Sequence, residues 1–184
     1  MKDKIRLGML LFIASESVFF MLLIVAFVVY HTIAGNAAEA SRHLDRYKTA
    51  IFTFFLVSSS FTVWRSDASR RLNRHSANLV WLGVSICFGS IFLIGQALEY
   101  RRLILQNVTI SRDLFGTTFF TLTGFHGLHV FTGLVMLAIM FGVDLCRHPN
   151  GSPRRAGEAV SMYWHFVDVV WMVIFPVVYL WGVL

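Results

Sequence analysis

The chain has 184 residues, 57% of them hydrophobic and only 14% charged, with a formal net charge of +6. Soluble domains hold about a quarter charged residues, so this composition excludes an ordinary soluble domain and leaves room for one membrane domain. The 16 Lys and Arg stand in short runs between apolar blocks, as loops at a membrane surface do, which argues against nucleic acid as a partner.

The N-terminus, MKDKIRLGMLLFIASESVFF, starts basic and turns apolar as a secretory signal does, and AEA at residues 38–40 could serve as a cleavage site. A signal core is about 7–15 residues, however, and the run from Leu7 to Tyr30 is 24 residues long. It reads as a membrane span, about 7–30. The second block, about 49–64, falls short of the roughly 20 residues a spanning helix needs, so its ends are expected to extend into polar flanks. The third, about 77–98, holds Cys87 and the small pair Ser85 and Gly89, four apart. The fourth, about 114–143, is long enough to require tilt or protrusion and holds Thr123 and Gly127, also four apart. The fifth is about 159–184. Helices in lipid meet through small residues and polar contacts, so Ser85, Gly89, Thr123 and Gly127 are the expected helix-packing positions. Cys87 and Cys146 fall at different depths, which argues against a bridge, and both read as free thiols.

With three prolines and no linker or repeat, residues 1–184 read as a single all-α domain, a polytopic bundle of five transmembrane helices. Basic residues orient it. The N-terminus and loops 65–76 and 144–158 hold 10 Lys/Arg; loops 31–48 and 99–113 and the C-terminus hold 6. The N-terminus is therefore expected inside and the C-terminus outside.

Against this apolar background Glu16, His126, His129, His165 and Asp168 lie within spans, and Glu99 ends one. Each charge in the bilayer costs at least a few kcal/mol by insertion scales, so these side chains should turn inward and pair. Glu16 and Asp168 are both roughly 13 Å deep at 1.5 Å per residue, and His165 is about a turn shallower, so Glu16 is expected within reach of His165. His126 and His129, in FFTLTGFHGLHVFTG, share a helix face with Leu122 and Gly133. Three roles compete. Histidines can ligate a metal or haem, but no CxxC, HExxH or ExxH pairing supplies further ligands. Glu16 and the histidines can relay protons or ions, as in an independent proton-conducting protein. Or the groups can act as interhelical contacts that set rotation and register. The residues alone favour the last.

SESVFF at 15–20, FGSIFLIGQALEY at 88–100, FGTTFFTLTGFHGLHVFTG at 115–133 and YWHFVDVVW at 163–171 resemble, in order and spacing, subunit III of the haem–copper oxidases. The resemblance runs from residue 9 to 182. It implies a non-catalytic chain with no metal or cofactor of its own, haem and copper residing in partner subunits of a proton-translocating oxidoreductase of aerobic electron transport. It implies direct packing against subunit I, which it helps keep active, together with subunit II and smaller subunits. It further implies support of proton uptake at the inner surface, bound phospholipid with no residues assigned to it, and a bacterial plasma-membrane location. On the family pattern Glu16 matches the buried acid of the SE motif, Glu99 and Tyr100 the EY pair, and His126, His129, His165 and Asp168 the polar core. Two departures stand out. Larger members have seven spans arranged as a V whose arms hold lipid, and the first two are missing here. The second span ends in VWRS, where larger members have a Trp followed by histidines. QALEY and TGFHGLHV look more like the cytochrome c oxidase type, while SMYWHFVDVVWMVIFPVVYLWG also looks like the quinol oxidase type; a homologue associated with nitric oxide reductases is a further five-span form.

Overall fold

A computed structural model of the chain describes residues 2–33, 45–106, 108, 114–146 and 154–180. The described residues form five α-helices: α1 (Lys2–Ile33), α2 (Arg46–Arg71), α3 (His75–Leu105), α4 (Leu114–Cys146) and α5 (Arg154–Phe175). α5 continues as a π-helical turn, Pro176–Leu180. Pro176 has no N–H to give to the preceding turn and its ring crowds the carbonyl four residues back, so the helix widens there. Helix is the expected answer to an apolar surround, because it satisfies each backbone N–H and C=O within the segment.

Among the described residues four helical stretches are long and apolar enough to cross a membrane: Lys4–Thr32, His75–Leu105, Phe115–Cys146 and Ala156–Tyr179. The expected second span is not among them. α2 does extend into its polar flanks, as its short apolar core requires, and reaches 26 residues. Its average is diluted by Thr49, Thr53, Ser59, Thr62, Ser66 and Ser69, all of which are buried.

Helix ends are set by local chemistry. Asp45 caps α2, its carboxylate accepting from the Lys48 backbone N–H at 3.3 Å, and it also meets Lys48 Nζ at 3.0 Å and Arg102 at 3.1 Å. The side-chain hydrogen bond from Lys48 holds the Asp45 carboxyl below its usual range, helped by the backbone bond. Its stabilising effect is therefore present above the ordinary carboxylate pKa and is lost as pH falls through the lowered value. α2 and α3 are joined by a tight turn at Leu72–Arg74. Asn73 there has a positive φ of 55°, a left-handed conformation that Asn tolerates better than most residues.

Successive helices run antiparallel. Arg70 near the end of α2 meets Asn78 near the start of α3 and Asp144 near the end of α4. At the opposite end, Thr49 of α2 and Tyr179 beyond α5 meet Glu99 of α3. α1 lies against α4 and α5, through Phe27–Phe115 and Phe12–Tyr163 ring contacts. Its start is thus level with the ends of α2 and α4.

The core is aromatic, with Tyr163, Trp164, Trp171 and Tyr179 almost wholly buried. Trp164 seats most tightly. Its Nε1–H donates to Ser59 of α2 at 3.0 Å, and its ring lies against Gly89 of α3 and Gly133 of α4. A Cβ at either glycine would fall 2.7 Å from an indole carbon. One side chain of α5 thereby ties three other helices together.

Gly133→Ala is expected to destabilise the purified protein by about 1–3 kcal/mol, the usual penalty of overpacking a rigid buried ring. Gly8→Ala, where an added Cβ meets nothing within 4 Å, should not. Thermal unfolding in detergent distinguishes the two.

Candidate functional site

The ionisable residues singled out above fall into separate interhelical contacts, most with a partner not evident from sequence. Glu16 of α1 pairs with His129 of α4, its Oε2 3.2 Å from Nε2, both side chains mostly buried. His129 Nδ1 lies 2.8 Å from the Phe125 carbonyl oxygen. That oxygen can only accept, so Nδ1 carries a hydrogen and Nε2 faces the carboxyl. Tyr163 of α5 donates to the His129 carbonyl at 3.1 Å.

The expected approach of Glu16 to His165 is not what the structure shows. The two are level, but α5 turns His165 towards α2, where Nδ1 lies 3.0 Å from Ser60 Oγ. The same hydroxyl donates to Asp168 Oδ2. Serine, histidine and aspartate meet here in an order that differs from a catalytic triad. The hydroxyl stands between the acid and the imidazole, whereas a triad places the imidazole in the middle so that it can take the serine proton. The arrangement ties α2 to α5. Asp168 Oδ1 is buried with no hydrogen-bond partner among the described residues.

His126 shares a helix with His129 but not its surroundings. It is fully buried, stacked on Trp171 at 4.8 Å and met edge-on by Phe92 and Phe20. Neither ring nitrogen has a hydrogen-bond partner among the described residues. It therefore packs as an aromatic disc between α1, α3 and α5.

Glu99 lies at the far end of the bundle. Its Oε2 accepts from Tyr179 at 2.6 Å, and Oε1 lies 3.3 Å from Thr49 Oγ1. Beside it, Gln96 Nε2 donates to the Thr123 carbonyl at 2.6 Å and to Tyr100 at 3.2 Å. Tyr100 in turn is 2.7 Å from Thr123 Oγ1. Gly127 admits the Gln96 side chain; a Cβ there would lie 2.8 Å from Oε1. On the other half of α3, Ser85 is 2.7 Å from Thr62 of α2.

A further cluster is barely signalled in the sequence. Arg70, counted above as a loop residue, lies inside α2 and is 7% exposed; Asp144, at the end of α4, is 1% exposed. Their charged atoms are 3.4 Å apart. Asn78 joins them, donating to Asp144 at 2.8 Å and accepting from Ser66 at 2.7 Å. Gly157 of α5 lies directly against the guanidinium, leaving no room for a Cβ. Only the four-residue reach between Ser66 and Arg70 was available as a clue, and Ser and Arg near a helix end usually mean a solvated turn.

Among the described residues no three His, Cys, Asp or Glu side chains stand where they could hold a metal ion. The chemistry available to these clusters is hydrogen bonding and the holding of protons between helices.

The family profile described as cytochrome c oxidase subunit III matches residues 1–183. A cytochrome c oxidase subunit 3 from Synechocystis sp. is 35% identical over 94% of this chain and 74% of its own length. A probable cytochrome c oxidase subunit 3 from Mycobacterium leprae is 31% identical over 96% of this chain and 88% of its own. The Drosophila melanogaster cytochrome c oxidase subunit 3 is 35% identical over 97% of this chain and 70% of its own.

Asp144 is the nearer of the two carboxylates on the buried Arg70 guanidinium, with Asp67 at 3.8 Å, so its removal weakens the compensation of a buried charge. Asp144→Ala is expected to cost about 3–5 kcal/mol, whereas Arg70→Met combined with Asp144→Leu should recover most of that loss. Unfolding in detergent measures both.

Proposed function

The chain belongs to the cytochrome c oxidase subunit III family, and from that premise we propose that it acts as a shape-holding subunit, with no redox centre of its own, in an oxidoreductase complex. The supporting observation is the fate of its ionisable groups. Glu16 is taken up by His129, His165 and Asp168 by Ser60, Glu99 by Tyr179, and Arg70 by Asp144. Each contact joins two different helices, so each sets the rotation of one helix against another. A ligand set for haem or metal would instead converge on a single point.

In this reading haem and copper sit in partner subunits, and subunit I packs directly against this bundle, with subunit II and smaller chains completing the complex. A bundle locked by polar contacts offers subunit I a fixed surface and helps keep it active. Glu16 with His129, and His165 with Asp168, are also groups that can hold protons between helices, consistent with support of proton uptake. Phospholipid is a further ligand of the complex.

All five helices span the membrane in this proposal, α2 included. Its exposed side carries Ile51, Phe54, Val57, Phe61 and Trp64, an apolar surface suited to lipid, while its hydroxyl groups face inward. At 26 residues it is about 39 Å long, sufficient to cross. Five spans put the termini on opposite sides, and the excess of Lys and Arg beside the N-terminus puts that end in the cytoplasm and the C-terminus outside a bacterial plasma membrane.

Purification in mild detergent through a tag on this chain tests the assignment. A large haem-bearing partner should copurify, and its visible spectrum should belong wholly to that partner. Recovery of the chain alone, conducting protons in liposomes at a rate lost in Glu16→Gln, would contradict the assignment. For α2, Phe61→Arg on the outward side should impair membrane insertion, by up to about 3 kcal/mol; a glycosylation or reporter fusion in the 72–74 turn reads the outcome.

A further inference from the structure

The hydrogens around Gln96 can be counted one by one. The Thr123 hydroxyl gives its hydrogen to the Phe119 carbonyl at 2.6 Å. Tyr100 therefore donates to Thr123 Oγ1 and accepts from Gln96 Nε2, whose other hydrogen goes to the Thr123 carbonyl. Turning the carboxamide over would place Oε1 against that carbonyl, acceptor against acceptor, so its orientation is settled. Gln96 Oε1 is then a buried acceptor with no partner among the described residues.

Glu99 has a related deficit. Its Oε2 accepts from Tyr179. Its Oε1 is 3.3 Å from Thr49 Oγ1, but the single hydrogen of that hydroxyl has a nearer acceptor, the Asp45 carbonyl at 3.0 Å. Gln96 and Glu99 are three residues apart and so lie on one face of α3. Both line a cavity of about 10 Å³, walled also by Thr49 and by the rings of Phe52, Phe92 and Trp171. That volume is about what one water needs.

We propose that this cavity is a binding site for a single water molecule, which donates one hydrogen to Gln96 Oε1 and the other to Glu99 Oε1. Water suits the site because it brings two hydrogens on one small atom, and two of the residues that line the cavity each carry an acceptor oxygen short of a hydrogen. The bridge joins the Gln96–Tyr100–Thr123 contact between α3 and α4 to the Glu99–Tyr179–Thr49 contact among α2, α3 and the end of α5. Four helices then share one continuous hydrogen-bond network at the end of the bundle away from Arg70. The competing arrangement leaves Oε1 facing only the Cα hydrogens of Gly127, a much weaker contact.

A structure of the assembled complex, at a resolution that shows ordered water, tests this. A peak within hydrogen-bond distance of both oxygens is expected in the unmodified complex and in Thr49→Val, which keeps both acceptors. The peak should be lost in Gln96→Leu. The proposal fails if ordered waters are seen elsewhere in this chain but not here. It also fails if the peak vanishes in Thr49→Val, which would make the hydroxyl its anchor, or persists unmoved in Gln96→Leu. The unmodified and Thr49→Val arms decide the question even where Gln96→Leu does not assemble.

Discussion

Within a bilayer, apolar side chains gain little by leaving lipid for one another, so a helical bundle must be held by close packing and by hydrogen bonds that lipid cannot replace. The contact between Trp164 and Ser59 combines both. The indole fits against the glycine backbones of α3 and α4 while its N–H finds a hydroxyl on α2. Further polar contacts lie above and below it: Arg70 with Asp144, Ser60 with His165 and Asp168, Glu16 with His129, and Glu99 with Tyr179. Their spread along the bundle resists sliding as well as rotation, since a shift of one helix by a turn would break several at once.

This constraint explains the character of α2. Hydroxyl side chains are short enough to lie between closely packed helices and can place their hydrogen on their own backbone while accepting from a neighbour, as Thr53 does with the Thr49 carbonyl at 2.8 Å and the Trp171 indole N–H at 2.9 Å. A helix rich in inward serine and threonine thus looks too polar for a membrane by its average while presenting Phe54, Phe61 and Trp64 outward. Arg70 continues the pattern: its charge is turned into the bundle and met by Asp144 rather than held in a solvated loop.

Much of this was legible in the sequence. The length of the apolar runs located α1, α3, α4 and α5, and the few ionisable residues inside them drew attention to Glu16, His126, His129, His165 and Asp168. The pairing was not legible, because depth counted along one helix does not tell which way the side chain points. Glu16 and His165 are level, yet α5 turns His165 towards Ser60. His126 and His129, adjacent on one helix face, differ by enough rotation that one is enclosed by aromatic rings and the other meets a carboxyl. Arg70, Asn78 and Asp144 were missed because a charged residue at the edge of an apolar block normally marks its end, and only the packing of α4 and α5 over it reveals burial.

The account rests on polar contacts between helices contributing to stability. A double-mutant cycle on Ser59→Ala and Trp164→Phe, followed by reversible unfolding in bicelles, measures one of them directly. A coupling energy of about 0.6–1.7 kcal/mol is expected, the range of interhelical hydrogen bonds in membrane proteins. A coupling indistinguishable from zero, with the single substitutions simply additive, would contradict it.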